Sequence, residues 1–303
     1  MQRLRRTEMS PTERQTMTIL AVGAFIIVLI VWQVAGMDGL LYPLRLFVSL
    51  VHELGHGLAA ILTGGTFLRF NIYANGSGVA YTQGGSALAI LPSGYLGAAA
   101  FGAGLFVLNN RLGTPRSLTL GMAGVIALAV VLFSGVNTLL LIGLVVACVG
   151  SLLAGEHYRK YRAVLFGGAA LAGVALLGLI WPFTALKVGL GMAAVLIMLA
   201  LIAPRSALIF ILNFLALIVG LNALSDIALL LNSPNIGLGD IRNDAAALAN
   251  VTNVPTLFWA ILWVLLAGGM MALAAYYGLI QPARQAHLMN SRGGTLTDDE
   301  VGG

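Results

Sequence analysis

Charge is what this chain most lacks. Only 9% of its 303 residues are Asp, Glu, Lys or Arg, against about 25% in an ordinary soluble domain. That leaves too little polar surface to cover a water-soluble body of this size, which excludes a soluble globular protein, and its high apolar content excludes a disordered chain. Cysteine is almost absent: Cys148 stands alone inside an apolar run, so no internal disulfide scaffold exists. The 16 basic residues outnumber the 11 acidic ones, but they are scattered through short connections. No basic stripe or compact soluble module is present, which argues against nucleic-acid binding.

What is abundant is apolar surface, at 59% of residues. A membrane span needs roughly 20 predominantly apolar residues. Nine stretches fit, at about 17–36, 40–63, 86–108, 118–134, 136–155, 163–181, 184–203, 206–231 and 255–280. The predicted fold class is therefore an all-α, multi-span integral membrane protein. Eight spans result if Ser134–Gly135 or Trp181–Pro182–Phe183 is a kink rather than a turn. Residues 1–16 form an N-terminal segment, assigned to the cytoplasm. Arg3, Arg5 and Arg6 precede the first apolar run as in a signal peptide. That run is span-length, however, and no small-residue cleavage site follows, so it reads as a retained span. Lys and Arg are too evenly divided between the two sides to set the orientation. Residues 281–303 are polar and predicted to be a disordered tail.

Two internal stretches are not spans. Residues 64–85 read as a β-hairpin, with Phe67, Arg69, Asn71 and Tyr73 on one face and Leu68, Phe70 and Ile72 on the other. Asn75-Gly76-Ser77-Gly78 supplies the turn. Residues 232–254 read as a polar connection carrying Asp240, Arg242 and Asp244.

Acidic and histidine side chains inside spans are costly, so each is a functional candidate. They are His52, Glu53, His56 and Asp226. Three fall in the pentapeptide His52-Glu53-Leu54-Gly55-His56. With four His and five Glu in the chain, this pattern arises by chance roughly once in a thousand such sequences. Residues four apart share one helix face, so both imidazoles can bind one Zn²⁺ while Glu53, beside them, serves as general base. The alternative is that the histidines are hydrogen-bonded core residues and Glu53 pairs with an arginine such as Arg45. Burying three ionisable groups without a metal would be expensive.

A catalytic zinc wants a third protein ligand. Asp226 is the remaining acidic residue placed within a span, with Asn222 one turn before it on the same face. Its other reading is a solvated helix end. Glu156, His157, Asp240 and Asp244 lie in connections and are weaker candidates. The pentapeptide and Asp226 each lie in the C-terminal half of their span. Five intervening spans would bring both to the same leaflet.

These motifs resemble the site-2 proteases, intramembrane zinc metallopeptidases, and within them the shorter B-type branch. The resemblance rests on the His52–His56 pentapeptide in a span, the Gly-rich hairpin that follows, Gly84-Gly85, and Gly94-Tyr95-Leu96-Gly97. It also rests on Asn222-x-x-x-Asp226 and Pro255-x-x-x-Trp259-x-x-x-Trp263. It covers about 40–101 and 208–263. The chain departs from better-known members at Ser225-Asp226-Ile227, which lacks the proline and glycine of their Asn-Pro and Leu-Asp-Gly elements.

The resemblance implies one zinc per chain on His52, His56 and Asp226, with Glu53 as catalytic base and Asn222 in support. It implies a single-span membrane protein as substrate and the plasma membrane of a prokaryote as location. A helical substrate must unwind before cleavage. The hairpin edge at Phe70, Asn71 and Ile72 is a candidate to hold it by strand addition; a plug that shields the zinc from lipid is the alternative. A different class of function also fits: a metal-binding but non-proteolytic transporter or scaffold. The intact Glu53 argues against a scaffold, and the lack of further intramembrane charges argues against transport.

Overall fold

The computed structural model describes residues 11–33, 38–73, 75–158, 161–221 and 243–284. Asn222, Asp226, Asp240 and Arg242 lie outside the described residues. Nine long helices, one short helix and one hairpin make up the described residues: α1 (Pro11–Gln33), α2 (Asp38–Leu62), β1 (Thr66–Ile72), β2 (Gly78–Gln83), α3 (Ala87–Leu112) and α4 (Pro115–Phe133). There follow α5 (Thr138–His157), α6 (Arg162–Ile180), α7 (Thr184–Ile202), α8 (Arg205–Gly220), α9 (Asp244–Thr252) and α10 (Thr256–Ala275), which ends in a π-turn at Tyr276–Ile280.

Five helical segments are long and apolar enough to cross a membrane: Tyr42–Leu62, Ala87–Leu112, Pro115–Phe133, Thr184–Ile202 and Thr256–Arg284. Four shorter apolar helices, at Gln15–Ile30, Thr138–Ala154, Val164–Ile180 and Arg205–Gly220, stand where the other expected spans fall. Leu139, Val164 and Leu171 are 74–84% exposed, an outward apolar surface suited to lipid rather than water. Both doubtful joints are helix breaks. Gly135 takes φ +82 after α4, and α6 and α7 are separate helices on either side of Pro182.

The chain forms two compact units. The first takes α1, residues 91–121, and α8, α9 and α10. Within it α8 is buried at ten of its sixteen residues, as expected of a helix that is apolar all round. Gly102 of α3 lets the α8 backbone approach: a Cβ there would lie 2.7 Å from Gly220 N. Gly220 in turn lies against the Met271 side chain of α10. Small residues at such crossings allow close helix packing.

The sequence reading ends the third span at Leu108, ahead of the polar Asn109-Asn110-Arg111, whereas α3 continues to Leu112. The reason is a buried polar trio. Asn213 Oδ1 on α8 accepts from Asn109 Nδ2 at 3.0 Å and from Asn110 Nδ2 at 2.7 Å. Those amides also donate to Ile209 O and Phe106 O. Arg111 reaches past them to Tyr277 O at 2.7 Å.

The polar connection at 232–254 also contains a helix that its composition did not announce. Asn243 Oδ1 caps α9 by accepting from Ala245 N at 2.8 Å, and Asn253 ends it at φ 57. Its apolar side (Ala245, Leu248) packs on Ala260 and Trp263 of α10. Tyr95 stacks on Trp263, with centroids 5.5 Å apart, and Trp259 Nε1 donates to Thr252 Oγ1 at 3.1 Å. The Gly-Tyr-Leu-Gly and Pro-Trp-Trp motifs thus meet in one cluster.

The second unit takes residues 41–90 and 122–196: most of α2, the hairpin, most of α4, α5, α6 and most of α7. Cys148 Sγ donates to Ala169 O where α5 runs beside α6. The hairpin departs from strict alternation. Phe67 pairs with Thr82 and Arg69 with Tyr81, so Leu68 is an extra residue in β1. This bulge turns Phe67 to the same buried side as Phe70 and Ile72, which are 6%, 0% and 2% exposed. Arg69 lies over the Tyr81 ring at 4.8 Å. The turn is held by Tyr73 N to Ser77 O at 2.8 Å and Ser77 N to Asn75 Oδ1 at 3.0 Å.

Asn213→Ala removes the acceptor shared by Asn109 and Asn110. It should lower stability by about 1–3 kcal/mol in a thermal melt of the detergent-purified protein; an unchanged melt would refute the trio's role.

Candidate metal centre

The histidine pair is set by the geometry of α2. His52 and His56 lie one turn apart, and their Nε2 atoms approach to 3.0 Å, with the rings edge-to-face at 4.7 Å. His56 is buried and His52 partly so. His56 Nδ1 lies 2.6 Å from Ile90 O. A carbonyl only accepts, so Nδ1 carries the proton and the neutral ring presents its Nε2 lone pair toward His52. A metal-binding histidine is commonly oriented in this way.

The fit to zinc is a matter of distance. Two nitrogens at about 2.0–2.1 Å from a tetrahedral zinc stand roughly 3.3 Å apart, close to the 3.0 Å seen here. The donor set, two imidazoles with one tautomer fixed, suits a borderline-soft divalent cation.

Local sequence explains why Ile90 is in reach. The end of α2 is a Schellman motif: Gly65 N donates to Ala60 O, Gly64 N donates to Ile61 O, and Gly64 takes φ +81. At the other end of the hairpin, Gly84 and Gly85 take φ +70 and +77. Ser86 N then donates to Thr63 Oγ1 at 3.0 Å. These joints bring the first turn of α3, with Ile90, back beside His56.

Glu53 is 5% exposed and lies on a neighbouring stripe of α2: Arg45, Ser49, Glu53 and Gly57, each one turn from the next. The hairpin runs along this stripe. Gly76 lies against the Arg45 side chain and accepts from Ser49 Oγ through its carbonyl. Gly78 lies against the Glu53 carboxylate, and the Phe67 ring fills the space where Gly57 has no Cβ. Phe67 also stacks on Phe133 of α4 at 4.5 Å.

The structure thus brings the His52 and His56 Nε2 atoms together and buries Glu53 on the adjacent stripe of α2. Phe70 and Ile72 turn their side chains into the hairpin's buried face and Asn71 is half-buried, so only main chain is offered at the β1 edge. Among the described residues β2 is the only strand paired with β1. Asp244, read as lying in a connection, is the partly buried first residue of α9. Sequence reasoning missed the Ile90 carbonyl, which no side chain advertises. It also passed over the stripe facing the hairpin, whose signal was the four-residue spacing from Arg45 to Gly57.

A family model described as Peptidase M50B-like matches residues 20–186 and 141–274. The chain belongs to the M50B-like peptidase family. Membership in the M50B-like family and the apolar helices make it a membrane protein of a peptidase class whose members are zinc metalloproteases. No curated protein and no solved structure matches the chain.

Gly57→Val forces a branched side chain into the Phe67 ring. It should cost about 1–3 kcal/mol in a thermal melt and speed protease nicking at the hairpin turn. Unchanged nicking would mean that the hairpin is not fastened to α2 through Phe67.

Proposed function

We propose that the chain is a membrane-embedded zinc metalloendopeptidase that cleaves a single-span membrane protein within or near the bilayer. The observation that carries this reading is the 3.0 Å convergence of the His52 and His56 Nε2 atoms, with His56 held in one tautomer by Ile90. Family membership supports it. His52 and His56 would hold one zinc per chain, which supplies a water acidified to a pKa of about 7 and polarises the scissile carbonyl.

Glu53 takes the proton from the attacking water and delivers it to the leaving amine. A third ligand is an aspartate. By the family resemblance it is Asp226, supported by Asn222; Asp244, the weaker candidate in the sequence, is the alternative carboxylate. The β1 edge at Phe70, Asn71 and Ile72 would hold unwound substrate through its main chain. Nine spans follow if the four shorter apolar helices also cross. The resemblance supports the plasma membrane of a prokaryote as the location.

The test is zinc content with cleavage. Wild type should carry about one zinc per chain, and His52→Ala or His56→Ala should lose it. Loss in Asp226→Ala with retention in Asp244→Ala would assign Asp226, and the reverse would assign Asp244. Glu53→Gln should keep zinc while slowing cleavage by about 10²–10⁴-fold. Zinc binding without cleavage by the wild type would favour the non-proteolytic reading, cleavage untouched by Glu53→Gln would remove Glu53 as the base, and a zinc-free wild type would end the metallopeptidase reading.

The substrate clamp is tested separately. Asn71→Pro, which breaks the β1 edge, should abolish cleavage while sparing zinc. Retained cleavage would leave the hairpin as a shield.

A further inference from the structure

We infer that Gly78 is a positioning residue for the Glu53 carboxylate, and that β2 sets where this base can stand; this rests on the metallopeptidase reading above. A Cβ at Gly78 would lie 2.6 Å from Glu53 Cγ and 2.8 Å from Cδ, and closer still to Oε1. Nothing else at this position asks for glycine. Positive φ values occur at Gly64, Gly76, Gly84, Gly85, Gly113 and Gly135, and Gly78 is not among them. Its backbone therefore suits any L-residue. Gly76, two residues earlier at φ +86, is the contrasting case, because its own conformation requires glycine.

The strand has little freedom to retreat from a larger side chain. Gly78 pairs with Ile72, which is 2% exposed. On one side the Ser49 hydroxyl holds the Gly76 carbonyl, and on the other Phe67 sits at Gly57 and stacks on Phe133. Ser49 and Gly57, the helix side of two of these anchors, lie on the α2 stripe that carries Glu53. An added methyl at 78 is therefore accommodated by the Glu53 side chain, whose Cγ, Cδ and Oε1 it overlaps, and the carboxylate is displaced from its resting place. The glycine acts by leaving room: it lets the main chain form a wall against which Glu53 rests.

The experiment is a double-mutant cycle on the full chain in detergent, with Gly78→Ala, Glu53→Ala and both together. Gly78→Ala should lower Tm by about 2–4 °C where Glu53 is present and leave it unchanged in the Glu53→Ala background, where the overlapping atoms are gone. With β-casein as an unfolded probe that needs no helix unwinding, Gly78→Ala alone should cut kcat about 100-fold. KM and zinc content should stay at wild-type values.

An equal Tm drop in both backgrounds would show that the glycine serves the hairpin and overturn the proposal, as would wild-type kcat in Gly78→Ala. A raised KM with unchanged kcat would also overturn it, by assigning the glycine to substrate binding. A zinc-free wild type, or casein cleavage surviving Glu53→Gln, would instead bring down the peptidase reading and Gly78's catalytic meaning with it. The Tm coupling would still report separately whether the contact with Glu53 exists.

Discussion

The close approach of the hairpin to α2 is the constraint on which the rest of the second unit depends. Two strands can lie at backbone distance on a helix only where side chains are missing or yield, and here they are missing at Gly57, Gly76 and Gly78. The approach buries Glu53, which is only 5% exposed. A carboxylate in such a place is stable only when surrounding groups compensate its lost hydration. The same approach, closed at its base by the glycine pairs 64–65 and 84–85, returns the chain to the first turn of α3, from which the Ile90 carbonyl meets His56.

The helices and the histidine pair were legible because each is a periodic or local property of the sequence. Apolar runs of span length mark helices whatever they pack on, and two histidines four apart share a face in any α-helix. The rest depended on partners distant in the chain. Leu108 looked like a span end because Asn109 and Asn110 are polar, yet Asn213, about a hundred residues away, gives both amides an acceptor. Leu68 looked like one step of an alternating strand, but the bulge appears only once β2 sets the register. Composition made 232–254 a loop, while the helix at 244–252 is fixed by an Asn243 cap and by Trp263, which belongs to the next element.

The first unit shows how scattered motifs gain meaning through packing. Tyr95 and Trp263 are separated by most of the chain, and either alone reads as one aromatic in an apolar helix. Stacked together and joined by Trp259 and Thr252, they hold a nine-residue helix, too short to be stable by itself. Asp244 opens that helix, where the positive end of the helix dipole favours a negative charge. A carboxylate in this position has its backbone fixed before any ligand is considered.

Ile90 contributes to the histidine pair through its carbonyl oxygen alone. Every residue type carries that oxygen, so its role is invisible to replacement of the side chain. A scan that changes one residue at a time would find position 90 tolerant of any substitution that preserves the helix, and would pass over it. Atomic substitution in the main chain, such as an ester in place of the amide, would reveal a dependence that the genetic alphabet cannot express.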